Sequence, residues 1–170
     1  MLEQIVFYVL ATGVVVSALL VITRRNAVYS AVFLVACFCC IAGIYVLLNA
    51  QFLAAAQVIV YAGAIMVLFV FAIMLLRADS PLACAETMSF QRIFGFAFAV
   101  VLLFQVGHIV KKFVISAPMG DFPPEKVAAA GNIETVGLIL FTKYVYPFEV
   151  ISILLLAAMI GAVVLAKRKL

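Results

Sequence analysis

Charge is what this sequence has least of. Of its 170 residues only 11% are Asp, Glu, Lys or Arg, while 69% are hydrophobic, and the mean hydropathy is +1.37. A soluble domain of this length could not cover so much apolar surface. Lipid is therefore the solvent, and the chain reads as an α-helical integral membrane protein. The short alternating segments of a transmembrane β-barrel are missing too, because the apolar runs continue unbroken over the length of a spanning helix. Histidine is nearly absent: His108 is the only one, which excludes a haem held by two His of this chain and fits an interfacial side chain near a helix end. Four cysteines occur, Cys37, Cys39, Cys40 and Cys84. Cys37 and Cys40 have the Cys-x-x-Cys spacing, but inside an apolar segment with no further ligands nearby, so they read as packing residues rather than a metal site. No glycine-rich phosphate loop and no metal-ligand cluster is found, and one His leaves no Ser-His-Asp set. The expectation is a chain with no catalytic residue, no cofactor-binding residue and no metal site. The formal charge of +4 comes from basic residues scattered among loops and ends, without the basic-aromatic patch of a nucleic-acid binder. No Lys or Arg precedes Arg24, so the basic start of a secretory signal peptide is lacking and the first apolar segment is expected to stay in the mature protein.

What is present is a series of spans. The pattern predicts one membrane domain over 1–170, with helices at about 2–22, 28–48, 52–76, 90–113 and 146–166 and a long loop at 114–145. Between Arg25 and Arg77 lie 51 residues without a charge. That is too long for one crossing, and Asn49-Ala50-Gln51 is its only polar break. The second and third helices are therefore an antiparallel hairpin with a very short loop. Asp79-Ser80-Pro81 is a stop signal after the third helix. Arg92 snorkels to the interface at the start of the fourth, which is expected to end at Lys111-Lys112. Pro118, Gly120, Pro123, Pro124 and Gly131 break the loop, and its apolar end, Ile133 to Tyr144, is expected to lie against the membrane or a partner. The last helix carries Ala158, Ala162 and Ala166 at four-residue spacing, and also Ala157 and Gly161, a small-residue face for close packing. Five spans put the termini on opposite sides. With the N-terminus outside, the cytoplasmic side holds Arg24, Arg25, Arg77, Arg92, Lys167, Arg168 and Lys169, and the outer side Lys111, Lys112, Lys126 and Lys143. The excess of basic residues inside favours N-out, C-in.

The stretch around which the chain is organised is Phe52 to Leu76, 25 residues without a charge. As an α-helix it is roughly 37 Å long, enough to cross a hydrocarbon core of about 30 Å with some tilt. Gln57 and Tyr61 stand out in it. At α-helical spacing they belong to one stripe, Ala54, Gln57, Tyr61, Ala64 and Leu68, and a polar stripe in hydrocarbon should face protein or water. Ala62-Gly63-Ala64 admits two readings: close helix packing, or a weak point where the helix widens by one residue into a π-bulge. Tyr61 is either a packed aromatic with a satisfied hydroxyl or a group that positions water or gates a path. A phenol keeps its proton at neutral pH, which makes it a poor proton store. Gln57 can hydrogen-bond along the same face but carries no charge. Glu149, just after Pro147-Phe148, is the one carboxylate placed to enter the membrane. It is either an interfacial acid aligned with the helix dipole or a proton-handling or partner-pairing group.

The wording QVIVYAGAIMVLFVFAIMLL, and the later segment Glu134-Thr135-Val136-Gly137-Leu138-Ile139-Leu140-Phe141-Thr142 with Tyr144 and Pro147-Phe148-Glu149 through Leu165, resembles subunit J of bacterial NADH-quinone oxidoreductase, or respiratory complex I. That subunit corresponds to chain 6 of the mitochondrial enzyme. The close match covers about half the chain. The resemblance implies five membrane helices in a bacterial cytoplasmic (inner) membrane, next to the small subunits H, A and K. It implies no redox cofactor in this chain, although the whole complex uses NADH, FMN, iron-sulfur clusters and quinone. It also implies a π-bulge in the third helix near Tyr61, whose refolding opens or closes a water path between the quinone region and the first proton channel. The residues matching by motif position are Tyr61, Gly63, Met66 and Val67, with Glu149 secondary. Some members carry an acid where this chain has Gln57, so a carboxylate relay at that point is not implied here. Outside that family, the composition also suits a purely structural membrane scaffold or a small stand-alone transporter or channel. Against the transporter, no repeat relates two halves of the chain.

Overall fold

The computed structural model describes residues 1–76, 89–116, 127 and 130–167. The described residues are helical and lack strands: α1 (Leu2–Thr23), α2 (Ala27–Leu47), a composite α3 (Gln51–Leu75), α4 (Ser89–Ser116), α5 (Asn132–Thr142) and α6 (Val145–Ala166). Five of them, all but α5, are long and apolar enough to cross a membrane. Helices dominate because every backbone N–H and C=O must be paired within the segment when no water is at hand. The ends fall within three residues of those read from hydropathy. The largest difference is α4, which runs past Lys111-Lys112 to Ser116, since lysines can reach the interface without breaking a helix. The Asp79-Ser80-Pro81 stop, Arg77, Cys84, the Arg92 side chain, Pro118, Gly120, Pro123, Pro124, Lys126, Arg168 and Lys169 lie outside the described residues.

The helices α1, α2, α3, α5 and α6 belong to one compact unit, and α4 to another. In the first, α1 and α2 pack closely along their length because small residues face large ones. A Cβ on Gly13 would sit 2.9 Å from Cys40 Sγ, and one on Gly43 would sit 3.0 Å from a methyl of Leu10. Cys37 is buried and its thiol donates to the Val14 carbonyl at 3.8 Å. These two cysteines thus fill the α1–α2 seam.

The polar break at Asn49 is a helix terminus with a defined geometry. Asn49 has φ 57°, its N–H donates to the Val46 carbonyl, and the next N–H, of Ala50, reaches back to the Tyr45 carbonyl at 2.9 Å. This is the Schellman pattern, with Asn taking the left-handed position that Gly usually holds. It turns the chain within a few residues, so α3 runs back antiparallel against α2.

The region read as a long loop contains α5. Hydropathy does not reveal it, because 11 residues are too few to span a bilayer and the run is preceded by helix breakers. Its first residue closes the α2–α3 hairpin. Asn132 Oδ1 accepts the Phe52 N–H, and Asn132 Nδ2 donates to the Asn49 carbonyl, both at 3.0 Å. One amide therefore satisfies an orphan donor at the start of α3 and an acceptor in the preceding turn. Asn132→Leu keeps the size and removes both bonds. We expect a loss of about 1–2 kcal/mol, from roughly 0.5–1.5 kcal/mol per bond, seen as faster amide hydrogen exchange at Phe52 to Ala54. Unchanged exchange there would mean that the clip contributes nothing. At the other end of α5, the Phe141 and Phe148 rings meet edge-on with centroids 5.2 Å apart, which fixes the turn into α6.

Candidate functional site

The third span changes its hydrogen-bond register in mid-membrane. It is α-helical over Gln51–Ala56, π-helical over Gln57–Ile65 and α-helical again over Met66–Leu75. At its start the Gln57 N–H donates to the Leu53 and Ala54 carbonyls, three and four residues back. At its end the Met66 N–H reaches the Tyr61 carbonyl, five residues back. A π-segment accommodates one extra residue, and it rotates everything beyond it.

That rotation corrects the stripe read from α-helical spacing. The buried residues of α3 are Ala54, Gln57, Ala62 and Met66, with steps of three, five and four. The five-residue step falls inside the π-segment. Ala54 and Gln57 are buried, as expected of that stripe, but Tyr61 is 48% exposed and Leu68 69%, and Ala64 is exposed too. Gln57 and Tyr61 consequently do not share one buried face. Gln57 is buried as a polar side chain, while Tyr61 lies at the edge of the α2–α3 contact, its ring edge-on to Phe38 of α2 with centroids 5.8 Å apart. No hydroxyl partner for Tyr61 occurs among the described residues. Phe38 and Ala62 belong to this site and were not legible beforehand, because α-helical spacing puts Tyr61, and not Ala62, on the buried side.

Gly63 sits within the π-segment. A Cβ at this position would lie 3.2 Å from the Val58 carbonyl oxygen, five residues back. The carbonyl that a π-helix brings towards residue 63 is the one that a side chain would crowd. Of the Ala62-Gly63-Ala64 cluster, Ala62 is buried, and a Cβ on Gly63 would meet only its own helix, at the Val58 carbonyl oxygen.

The other candidate residues fall apart spatially. Met66 is buried at the end of the π-segment, while its neighbour Val67 is 66% exposed. Glu149 lies in α6 beyond its first turn, exposed. Its carbonyl accepts from the Ser152 hydroxyl at 2.7 Å. Within their common unit α6 packs on α5 and does not reach α3, so this chain by itself does not bring Glu149 to Tyr61 or Gly63.

The site is thus a half-covered, uncharged π-helical segment in a transmembrane helix. Elsewhere in the unit the chain leaves apolar surface uncovered: no residue of α1 or α6 is buried, and a Cβ on Gly161, in the small-residue face of α6, would meet nothing within 4 Å. These are the features of a multi-pass membrane subunit whose helices are completed by lipid and by other chains.

The comparison with known sequences says which. The family model for NADH-ubiquinone/plastoquinone oxidoreductase chain 6 matches residues 17–165. The chain is 40% identical over 169 residues to F(420)H(2) dehydrogenase subunit J of Methanosarcina mazei, covering 98% of this chain and 92% of that one. It is 42% identical over 163 residues to NAD(P)H-quinone oxidoreductase chain 6 of Leptolyngbya boryana, covering 96% and 79%. It is 36% identical over 174 residues to the chloroplastic NAD(P)H-quinone oxidoreductase subunit 6 of Physcomitrium patens, covering 99% and 86%. The chain belongs to the NADH-ubiquinone/plastoquinone oxidoreductase chain 6 family, and is a membrane subunit of an oxidoreductase complex of the complex I type.

Proposed function

We propose that this subunit couples quinone reduction to proton translocation by a change of register in α3, and contributes no redox cofactor or catalytic group. One observation carries the reading: a nine-residue π-segment with a glycine inside it, in the middle of a bilayer-spanning helix. π-Helical stretches are uncommon and cluster at functional sites. Moving between π and α register shifts one half of the helix by a residue, a turn of about 100° for a helix of 3.6 residues per turn. Such a turn carries Tyr61 and its neighbours towards or away from the α2 surface. It can make or break a file of water without any group in this chain changing charge. Tyr61, Gly63, Met66 and Val67 are the gating residues in this reading, Gln57 a buried polar group beside the path, and Glu149 a secondary group completed by a partner.

Relatives named for different electron donors, F(420)H(2) and NAD(P)H, share this chain almost end to end. That favours a role remote from the donor site. The partners proposed are the small membrane subunits H, A and K. The orientation proposed is N-terminus outside and C-terminus in the cytoplasm of a bacterial inner membrane, from the basic residues of the α1–α2 turn and the C-terminal end.

The test begins with co-purification. A C-terminally tagged chain, extracted in mild detergent, is expected to migrate in a large particle that stains for NADH dehydrogenase activity. In that particle Tyr61→Phe keeps the ring on Phe38 and removes only the hydroxyl. It is expected to leave assembly intact and lower proton release per quinone reduced by a few-fold. Unaltered stoichiometry would leave Tyr61 as a packing residue of a structural scaffold. Migration as a small particle beside an intact host complex would end the subunit role altogether, and ion flux by the isolated chain in liposomes would point to a transporter.

A further inference from the structure

A cavity of about 360 Å³ opens where α1 ends, α2 begins and α3 finishes. Its rim carries Arg24, Arg25 and Ser30, and its walls include Leu34, Phe69 and Ile73. The chain's own local order builds it. Asn26 Oδ1 accepts the Val28 N–H and starts α2, and the Ser30 hydroxyl donates to the Val21 carbonyl, tying α2 back to the end of α1. The Arg24 guanidinium is held 5.5 Å from the centre of the Phe33 ring, an arrangement that steadies a cation without neutralising it. Among the described residues no acidic side chain lines the cavity, and neither arginine has a carboxylate partner.

We propose that this cavity binds one anionic phospholipid, its phosphodiester on Arg24 and Arg25 and the first part of an acyl chain between Leu34, Phe69 and Ile73. The depth profile argues for it. α1 and α2 have 22 and 21 residues, about the length that crosses a hydrocarbon core, so the link between them stands at headgroup level. From Ser30 to Leu34 the groove descends roughly 6 Å along α2, passing from charged rim to apolar wall in the order in which a phospholipid passes from phosphate to hydrocarbon. Arg presents a fork of donors that suits phosphate oxygens. Basic pockets between transmembrane helices are a known means of holding acidic headgroups. An acidic side chain from another subunit would satisfy the rim but leave the apolar wall empty, and inorganic phosphate would do the same.

The experiment uses the complete assembly, stripped of lipid and titrated with phosphatidylglycerol, with bound lipid counted by native mass spectrometry. Wild type is expected to take up one phosphatidylglycerol that phosphatidylcholine of the same chain length does not replace. Each arginine lost should cost about five-fold in affinity, so R24Q/R25Q binds roughly 30-fold more weakly at this site, while R24K/R25K stays within about five-fold of wild type. Leu34→Trp leaves both arginines and fills the apolar wall. It should abolish the same binding event, and it stands in if the arginine variants do not assemble. Equal phosphatidylglycerol binding in R24Q/R25Q, or in Leu34→Trp, overturns the proposal. Full competition by millimolar inorganic phosphate would make this a soluble-anion site instead. A photoreactive side chain at position 25 that cross-links to another subunit rather than to lipid would make it a protein contact.

Discussion

In assemblies carrying Gly63→Leu, coupled proton release is expected to fall by roughly thirty-fold while the particle still forms. Two effects push the same way. Glycine in a helix interior is about 1 kcal/mol worse than a good helix former, so its replacement favours regular α-helix. The new Cβ, 3.2 Å from the Val58 carbonyl oxygen, also crowds the acceptor that the π-register brings to residue 63, and weakening one backbone hydrogen bond costs about 1 kcal/mol. Together they bias α over π by about 2 kcal/mol, or roughly thirty-fold at tenfold per 1.4 kcal/mol. A gate that must visit both registers then spends nearly all its time in one. Gly63→Ala carries the same Cβ without the bulk, and should show most of the effect. The measurement is protons released per quinone reduced, with assembly followed on a native gel. Wild-type turnover and wild-type stoichiometry in assembled Gly63→Leu would remove register change as the coupling step.

Gly131→Ala is expected to destabilise the α5 region by about 1–3 kcal/mol. Gly131 precedes α5 with φ 91° and ψ 144°, a region of backbone space that is nearly the preserve of glycine and costs other residues about that much. An added Cβ would also collide with the Glu134 carboxylate, which curls back over the start of the helix. Strain and collision can be separated. Gly131→Ala combined with Glu134→Ala removes the collision and leaves the strain, so it should recover only part of the loss. Limited proteolysis near residue 131, and hydrogen exchange at Thr135, are the readouts. The Thr135 N–H donates to the Gly131 carbonyl at 3.1 Å, and exchange there should rise with the single variant. Because Asn132 follows directly and clips the start of α3, exchange at Phe52 should rise with it. Protection at Phe52 that ignores Gly131→Ala would show α5 and α3 to be mechanically independent.

The two variants probe opposite halves of one assembly of parts. α3 is held at its N-terminal end by Asn132 and along its length by α2, and the register change lies between its two regular ends. A helix anchored in this way cannot absorb an extra residue by sliding, so the residue has to be taken up locally. Gly63 lies inside the segment that takes it up.

The number of spans, their approximate ends and the α2–α3 hairpin followed from the sequence alone, because transfer into lipid is nearly additive over residues and needs no partner to be counted. The same holds for family membership, which rests on the order of residues over nearly the whole chain. The tertiary structure decided which face of α3 is covered. Side-chain spacing identifies a face only if the hydrogen-bond register is known, and the π-segment moves the buried position from Tyr61 to Ala62. It also decided the place of Asn132, whose two partners lie 80 and 83 residues away in sequence. No local pattern joins an asparagine to backbone groups at that distance, because a hydrogen bond of this kind exists only once separate helices have packed.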